Sequence, residues 1–446
     1  MGRKEKNERK TLLKGAATIA VGGLVAKVIG AVYRIPLTNL VGGEGIGLYQ
    51  LVYPFYCLLL TVSATGIPSS IAALTARKCA AGEDVKPLFR TCMRLFLTIG
   101  AVLTVVMVGM AALLAKAQGE IRLTSGYYAL APSVFLVSAI SVFRGYFQGQ
   151  NKMFPTACSE IIEQVVKVGV GLCAAYYFRA DVYQAVTALL LAVTVSEAVA
   201  CLFLWIRFHR IPAPIKSPKK GERVGAFGIL RLSIPVTLSA CFIPLFGLLD
   251  SVLIVRLLNA YEENAVALYG LFSGGAVTVI NLPVSVCYGV AAASVPNLSA
   301  AVNRGERGRK NLLYALGVTF AVSLLAAVGI YYFADRAVGI LFRSLSGGEK
   351  QTLVRLVKLF AVSAITLSCT QTLSACLTAL GKPTRAAVAM LLGMLVKTAL
   401  NILLLRKPEY GIYGAALAAS GGYAVAFLFD ALFAFRATSR KRAKKA

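Results

Sequence analysis

LLKGAATIAVGGLVAKVIGAVY, residues Leu12–Tyr33, is the stretch that decides the architecture. A helix needs ~20 predominantly apolar residues to cross the hydrocarbon of a bilayer, and this run supplies them. The basic segment before it, MGRKEKNERKT, gives it the outline of a signal peptide. However, the run is too long for a signal h-region and carries Lys27, so it reads as a retained first helix.

Eleven further runs of similar length and apolarity follow. With the first, Leu13–Tyr33, they give spans at Tyr49–Ile67, Leu95–Leu114, Tyr127–Tyr146, Pro155–Phe178 and Val182–Ile206. After a break come Leu232–Val255, Leu268–Val290, Leu312–Phe333, Leu356–Leu380, Ala386–Leu405 and Ile412–Phe435. The 446 residues are 58% hydrophobic and only 15% charged, with a mean hydropathy of +0.73, which no soluble core could hide. The expected fold is all-α and polytopic.

The net charge of +28 does not point to nucleic acid, because the cations sit in short loops and tails rather than on a basic face interleaved with aromatics. With the N-terminus cytoplasmic, inner loops and tails collect about 30 Lys and Arg against about 10 outside, a strong positive-inside bias. Both termini are therefore expected in the cytoplasm of a multi-pass protein of the bacterial cytoplasmic membrane. None of the ten cysteines has C-x-x-C spacing, and most fall inside apolar runs as small packing residues. With a single histidine, His209, no His-based metal site or nucleophilic triad can be built. The chain is read as a transporter rather than an enzyme, with no metal and no cofactor.

The polar stretch IPAPIKSPKKGER falls midway and reads as a linker. It sets a first six-helix lobe at residues 1–210, a cytoplasmic basic linker at 211–228 and a second lobe with basic tail at 229–446. Internal similarity supports this division. GIGLYQLVYPF…GIPSSIAALTARKCAAGE is echoed by AVALYGLFSGG…GVAAASVPNLSAAVNRGE, and GQNKMFPTACSEIIEQVVKV by ALGKPTRAAVAMLLGMLVKT. Six spans per repeat place the pseudo-two-fold axis along the membrane normal, with a binding site expected between the halves.

The segments KGAATIAVGGLVAKVIGAVYRIPLTNLVGGEGIGLYQLVYPFY and RGYFQGQNKMFPTACSEIIEQ resemble the polysaccharide-transporter branch of the multidrug/oligosaccharidyl-lipid/polysaccharide (MOP) exporters. The resemblance is nearest to its stage V sporulation protein B group and more distant to MurJ-type lipid II flippases. It implies two six-helix lobes that move lipid-linked oligosaccharides or peptidoglycan precursors across the membrane by alternating access. A cation-coupled multidrug exporter of the same fold is the alternative. The implied partners are a lipid-linked sugar pyrophosphate and membrane lipids, with cell-wall synthesis enzymes as a further candidate class. MurJ-type relatives carry two arginines in the first helix, matched here by Lys27 and, one residue displaced, Arg34. The arginines of their second and eighth helices have no counterpart in YQLVYPFYCLLL or LFSGGAVTVINLPVSVCYGV.

Ionisable residues within spans are costly and each needs a reason. Lys27 and Arg34, seven apart, are candidate contacts for the anionic pyrophosphate; the alternative is a structural pair for Lys27 and an interfacial anchor in Arg34. Arg144 and Gln148, with Glu160, Glu163 and Lys167 on one face of the fifth helix, form either a polar lining for sugar hydroxyls or an ion-pair cluster that fixes packing. Asp250, on the seventh helix, is expected to face Lys27 or Arg34, and Asp250 and Glu160 are candidate ion-coupling or charge-compensating groups. Lys397, Glu197 and Asp430 are weaker candidates. Asn281 and Pro283 are expected to bend the eighth helix, as a lateral portal or as a plain proline kink. Leu345–Glu349 (LSGGE) imitates an ATPase signature, yet no phosphate-binding loop accompanies it, so ATP is not expected and the glycine pair reads as a turn. Coupling falls instead to Na⁺, H⁺ or the membrane potential.

Overall fold

The computed structural model describes the backbone of residues 3–210, 225–287, 289, 298 and 308–439. Along the first helix side chains are described at 18, 22, 23, 25, 26, 28–30 and from 32 onward; on the seventh they leave out 226–228, 231–233, 235, 236 and 239. Among the described residues there is no strand.

The helices are α1 (Arg3–Ala64), α2 (Ile67–Ala81), α3 (Lys86–Ala117), α4 (Thr124–Gly149), α5 (Phe154–Tyr177) and α6 (Val182–Arg210). They continue with α7 (Ala226–Leu258), α8 (Ala265–Cys287), α9 (Arg309–Leu341), α10 (Gly347–Ala379), α11 (Pro383–Leu405) and α12 (Tyr413–Ser439). Among the described residues, ten helical stretches are long and apolar enough to cross a membrane. The 24-residue α5 is not among them, because Glu160, Glu163 and Lys167 lie within it. Counting α5, and counting α1 as two spans, is consistent with twelve crossings.

The first two spans are not separated by a loop, as their sequence suggests. They are two helices that abut at Gly42, whose φ of 70° and ψ of −175° lie outside helical values. At 1.5 Å per residue the 62 residues would far exceed a bilayer if straight, and the break at Gly42 is what divides them into two crossings. A side chain at Gly42 would meet nothing within 4 Å. Glycine is required there by its backbone angles, not by space.

The chain forms two compact units. The first comprises residues 1–33 and 51–248, the second residues 34–50 and 249–446. Both α1 and α7 contribute to each. In the first unit the early part of α1 lies on α5, where a Cβ at Gly22 would sit 2.7 Å from that of Ala157. A core of Phe89, Phe143, Tyr146 and Phe208 joins α3, α4 and α6, with Phe89 and Phe208 stacked at 4.4 Å. Thr237 of α7 donates to the Thr65 carbonyl at 2.6 Å, satisfying a backbone oxygen freed where α1 gives way to α2.

In the second unit α1 and α8 meet along facing G-x-x-x-G faces. A Cβ at Gly47 would overlap the Val266 carbonyl, one at Gly270 the backbone of Gly43 and Gly47, and one at Gly274 the Ile46 side chain. Small residues let helix backbones touch where lipid offers no hydrophobic drive to association. Asn39 donates to the Leu341 carbonyl at 2.6 Å and Ser344 to the Asn39 carbonyl at 2.7 Å, tying α1 to the end of α9.

Two local features stand out, and the second corrects an expectation. A π-helical turn lies at Leu271–Ala276, within the glycine seam, and helix continues through Asn281 and Pro283 to Cys287. The Gly347–Gly348 pair is not a turn but the start of α10, where Ser346 accepts from the Glu349 amide at 3.3 Å and Glu349 accepts from the Ser346 amide at 2.9 Å. LSGGE is thus a capping box.

Candidate functional site

The block RGYFQG, Arg144–Gly149, divides its residues between two tasks. A Cβ at Gly145 would lie 2.8 Å from Ile71 and the Pro68 carbonyl, and one at Gly149 2.5 Å from Thr75. These glycines seat α2 on α4, while Tyr146 and Phe147 are buried in the core. The remaining face presents Arg144 and, one turn on, Gln148, both half-buried. After the block, burial pushes the Lys152 ammonium below its ordinary value.

Arg144 is held by α5. Its Nε donates to Ser159 Oγ at 3.0 Å and its Nη2 to Glu163 Oε2 at 3.1 Å, and Gln164 donates to the other Glu163 oxygen at 3.1 Å. The two charged side chains are each 18% exposed, so both have surrendered most of their water and the charge-assisted bonds replace it. Glu160 lies toward α1: a Cβ at Gly23 would be 3.6 Å from its Oε2. Lys167 is half-buried further along α5.

Glu197 of α6 completes this cluster and carries more weight than its sequence position suggests. It is buried, accepts from the fully buried Tyr56 hydroxyl at 3.4 Å, and lies within electrostatic range of Glu163, Arg144 and Lys167. Its Oε2 is buried without a hydrogen-bond partner. Tyr56 was not singled out by the sequence; an aromatic in an apolar span reads as packing until its hydroxyl is seen to face a carboxylate.

The second unit holds its own polar groups. Arg34 Nη1 donates to Thr278 Oγ1 of α8 at 2.7 Å, and among the described residues Arg34 forms no ion pair. Lys27 lies in α1, and its side chain is outside the described residues. Asp250 was expected to face Lys27 or Arg34; among the described residues it pairs instead with Lys397 of α11 and accepts from Asn401 Nδ2 at 3.0 Å. Lys397 and Asn401 are four apart and so share a face of α11, which turns Asp250 inward. Asp430 of α12 is fully buried, accepts from Ser374 Oγ at 2.5 Å and leaves Oδ1 without a partner. Asn281 is exposed and Pro283 half-buried.

Chemically, the arrangement offers one buried and one half-buried ion pair, two buried carboxylates bonded to hydroxyls, and an arginine whose bond is to a neutral hydroxyl. Among the described residues no cluster of three His, Cys, Asp or Glu could hold a metal ion.

The chain matches the model of the polysaccharide biosynthesis protein family over residues 12–302. It is 28% identical over 442 residues to stage V sporulation protein B of Bacillus subtilis (strain 168), covering 95% of this chain and 83% of that one. It is 21% identical over 448 residues to the lipid II flippase MurJ of the same organism, covering 94% and 81%. Among solved structures it resembles a multidrug resistance MATE family transporter of the MOP superfamily in an inward-facing conformation. That likeness has a TM-score of 0.80 at 19% identity, over 94% of this chain and 96% of the other. It also resembles lipid II flippase MurJ in an inward closed conformation, with TM-score 0.73 at 14% identity over 94% and 87%. With its apolar helices and its match over more than half its length, this multi-pass membrane protein belongs to the polysaccharide biosynthesis protein family, on the fold of the MOP exporters.

Proposed function

We propose that this protein is a flippase that moves lipid-linked oligosaccharides or peptidoglycan precursors across the bacterial cytoplasmic membrane by alternating access. The observation that carries the reading is Arg34. It keeps a full positive charge within an apolar helix, and its bond is to a hydroxyl rather than to a carboxylate. A guanidinium so placed is available to a diphosphate, which it matches in geometry and charge. Lys27, seven residues earlier, adds a second cation to the same reading. The relatives named as a lipid II flippase and as a sporulation protein support a lipid-linked cell-wall substrate. No covalent bond is broken in such a step, so the transporter needs no catalytic constellation.

The topology belongs to the same proposal. Both termini face the cytoplasm, and the two sequence halves act as six-helix lobes joined by the basic linker at 211–228. Arg144, Gln148, Glu163 and Lys167 line the path of the sugar, and Asp250 and Glu160 compensate charge as the substrate enters and leaves. Coupling to H⁺ or Na⁺ is carried by buried carboxylates rather than by ATP.

Transport of lipid-linked sugar pyrophosphates in proteoliposomes tests this, comparing the parent with Lys27→Ala and Arg34→Ala at matched insertion. Loss of two such charge-assisted contacts is expected to slow movement by tenfold or more each. Unchanged movement would remove the diphosphate contact. A parent that moves no lipid-linked sugar but effluxes cationic dyes would replace the flippase with a multidrug exporter.

A further inference from the structure

Three acidic side chains are buried among the described residues: Glu197, Asp250 and Asp430. Two of them have cations nearby. Asp250 pairs with Lys397, and Glu197 lies within electrostatic range of Arg144 and Lys167. Among the described residues Asp430 has none. Its hydrogen bond is with Ser374 Oγ of α10, at 2.5 Å, its Oδ1 is buried with no protein group bonded to it, and no charged side chain lies within its electrostatic range.

The packing of the second unit accounts for this isolation. Gly393 of α11 meets Ala426 of α12, and Lys397 meets Gly422, an antiparallel register that brings the buried Ala389, one turn on, level with Asp430. On α10, Leu373, Cys376 and Leu377 share an apolar cluster with Phe427, Ala431 and Ala434 of α12, which bracket Asp430. The titratable side chains at this end of the packed helices are Cys376 of α10, Lys382 and Arg385 of α11, Arg436 of α12, and Lys310 and Tyr314 of α9; none pairs with Asp430. A carboxylate so placed would have exchanged its hydration for one hydroxyl, a cost that a neutral acid escapes.

The α10 face that meets Asp430 is a row of hydroxyls. Thr366, Thr370, Ser374 and Thr378 recur every four residues and so share that face. Thr370 donates to the Thr366 carbonyl at 2.7 Å and Thr378 to the Ser374 carbonyl at 2.9 Å. Thr378 is exposed, so one helical turn separates the partner of Asp430 from an exposed hydroxyl.

We propose that Asp430 binds a proton, held in the bond with Ser374, and that this proton keeps α12 closed on α10. On release the O–H bond breaks, its electron pair stays on the carboxylate, and the proton passes to water at the Thr378 end of α10. The site supplies a proton carrier for the coupling proposed above, and it exists whatever the protein transports.

Infrared difference spectroscopy of the full chain in lipid vesicles tests the site, comparing the parent with Asp430→Asn and Ser374→Ala at neutral pH. The parent is expected to show a carboxylic-acid C=O stretch that is lost in Asp430→Asn and moves to higher frequency in Ser374→Ala, where the hydrogen bond is gone. Raising the pH is expected to convert that band to carboxylate absorption. Identical acid carbonyl absorption in the parent and Asp430→Asn overturns the proposal; where Asp430→Asn does not fold, an unshifted band in Ser374→Ala overturns it. The holding role is read from melting temperatures. Asp430→Asn, which has no proton to lose, is expected to gain stability relative to the parent as the pH rises, and a difference that stays constant with pH overturns that role. No substrate enters these measurements, so their failure leaves the flippase reading standing, and a parent that moves no lipid-linked sugar leaves the proton site standing.

Discussion

Asp250 and Lys397 show how a single residue's meaning depends on its partner. Their side chains are 9% and 11% exposed, so each ion has paid a desolvation cost that only the other, with Asn401, offsets. Lys397→Met, which strands the carboxylate, is expected to cost about 3–5 kcal/mol, read as a lower melting temperature in detergent. Adding Asp250→Leu to it is expected to restore most of that stability. A double variant as unstable as the single would show that the pair does not act as a unit. Glu197 differs, because its bond is to the Tyr56 hydroxyl. Tyr56→Phe removes one long hydrogen bond and is expected to cost about 0.5–1.5 kcal/mol, measured by the same melting experiment. The acidic and basic types were legible in the sequence, but Lys397 stands 147 positions from Asp250 and Glu197 stands 141 from Tyr56. No local period links residues so far apart, so the expectation that Asp250 faces Lys27 or Arg34 rested on symmetry alone.

At the scale of elements, α1 holds the most information. Its break at Gly42 and its seam with α8 use glycine for different reasons, and substitutions separate them. Gly42→Ala forces an L residue into a conformation essentially reserved for glycine and is expected to cost about 1–3 kcal/mol without any clash. Gly47→Leu must displace the Val266 backbone, so it is expected to separate α1 from α8. A cysteine pair placed across that seam in a Cys-free background should then cross-link far less efficiently than in the parent. Cross-linking that survives Gly47→Leu would show that the contact is not set by small residues. GGEGIG, residues 42–47, is a glycine cluster of the kind that usually punctuates structure. Helix continues on both sides because only one of its glycines departs from helical angles, a choice made by the contacts of Gly43, Gly47, Gly270 and Gly274. The π turn of α8 lies in the same seam.

For the whole molecule, the charge asymmetry carries a prediction about sidedness. A fluorescent protein fused after Ala446 is expected to fluoresce, and a phosphatase in the same place to be inactive, as for a cytoplasmic terminus. The reverse pattern would invert the topology.

Membrane class, helix content and the positions of most spans were determined by the sequence alone. Hydrophobicity acts through each segment's own length and composition, whoever its neighbours are. The glycines of RGYFQG and the charges of α5 were visible for the same reason, as types in a helical register. Tertiary structure alone decided which charge meets which, that Arg34 finds a hydroxyl, and that two spans abut at a single glycine. Those outcomes depend on distances between segments far apart in the chain, where burial raises the cost of an unpaired charge or a misplaced methyl until one arrangement prevails.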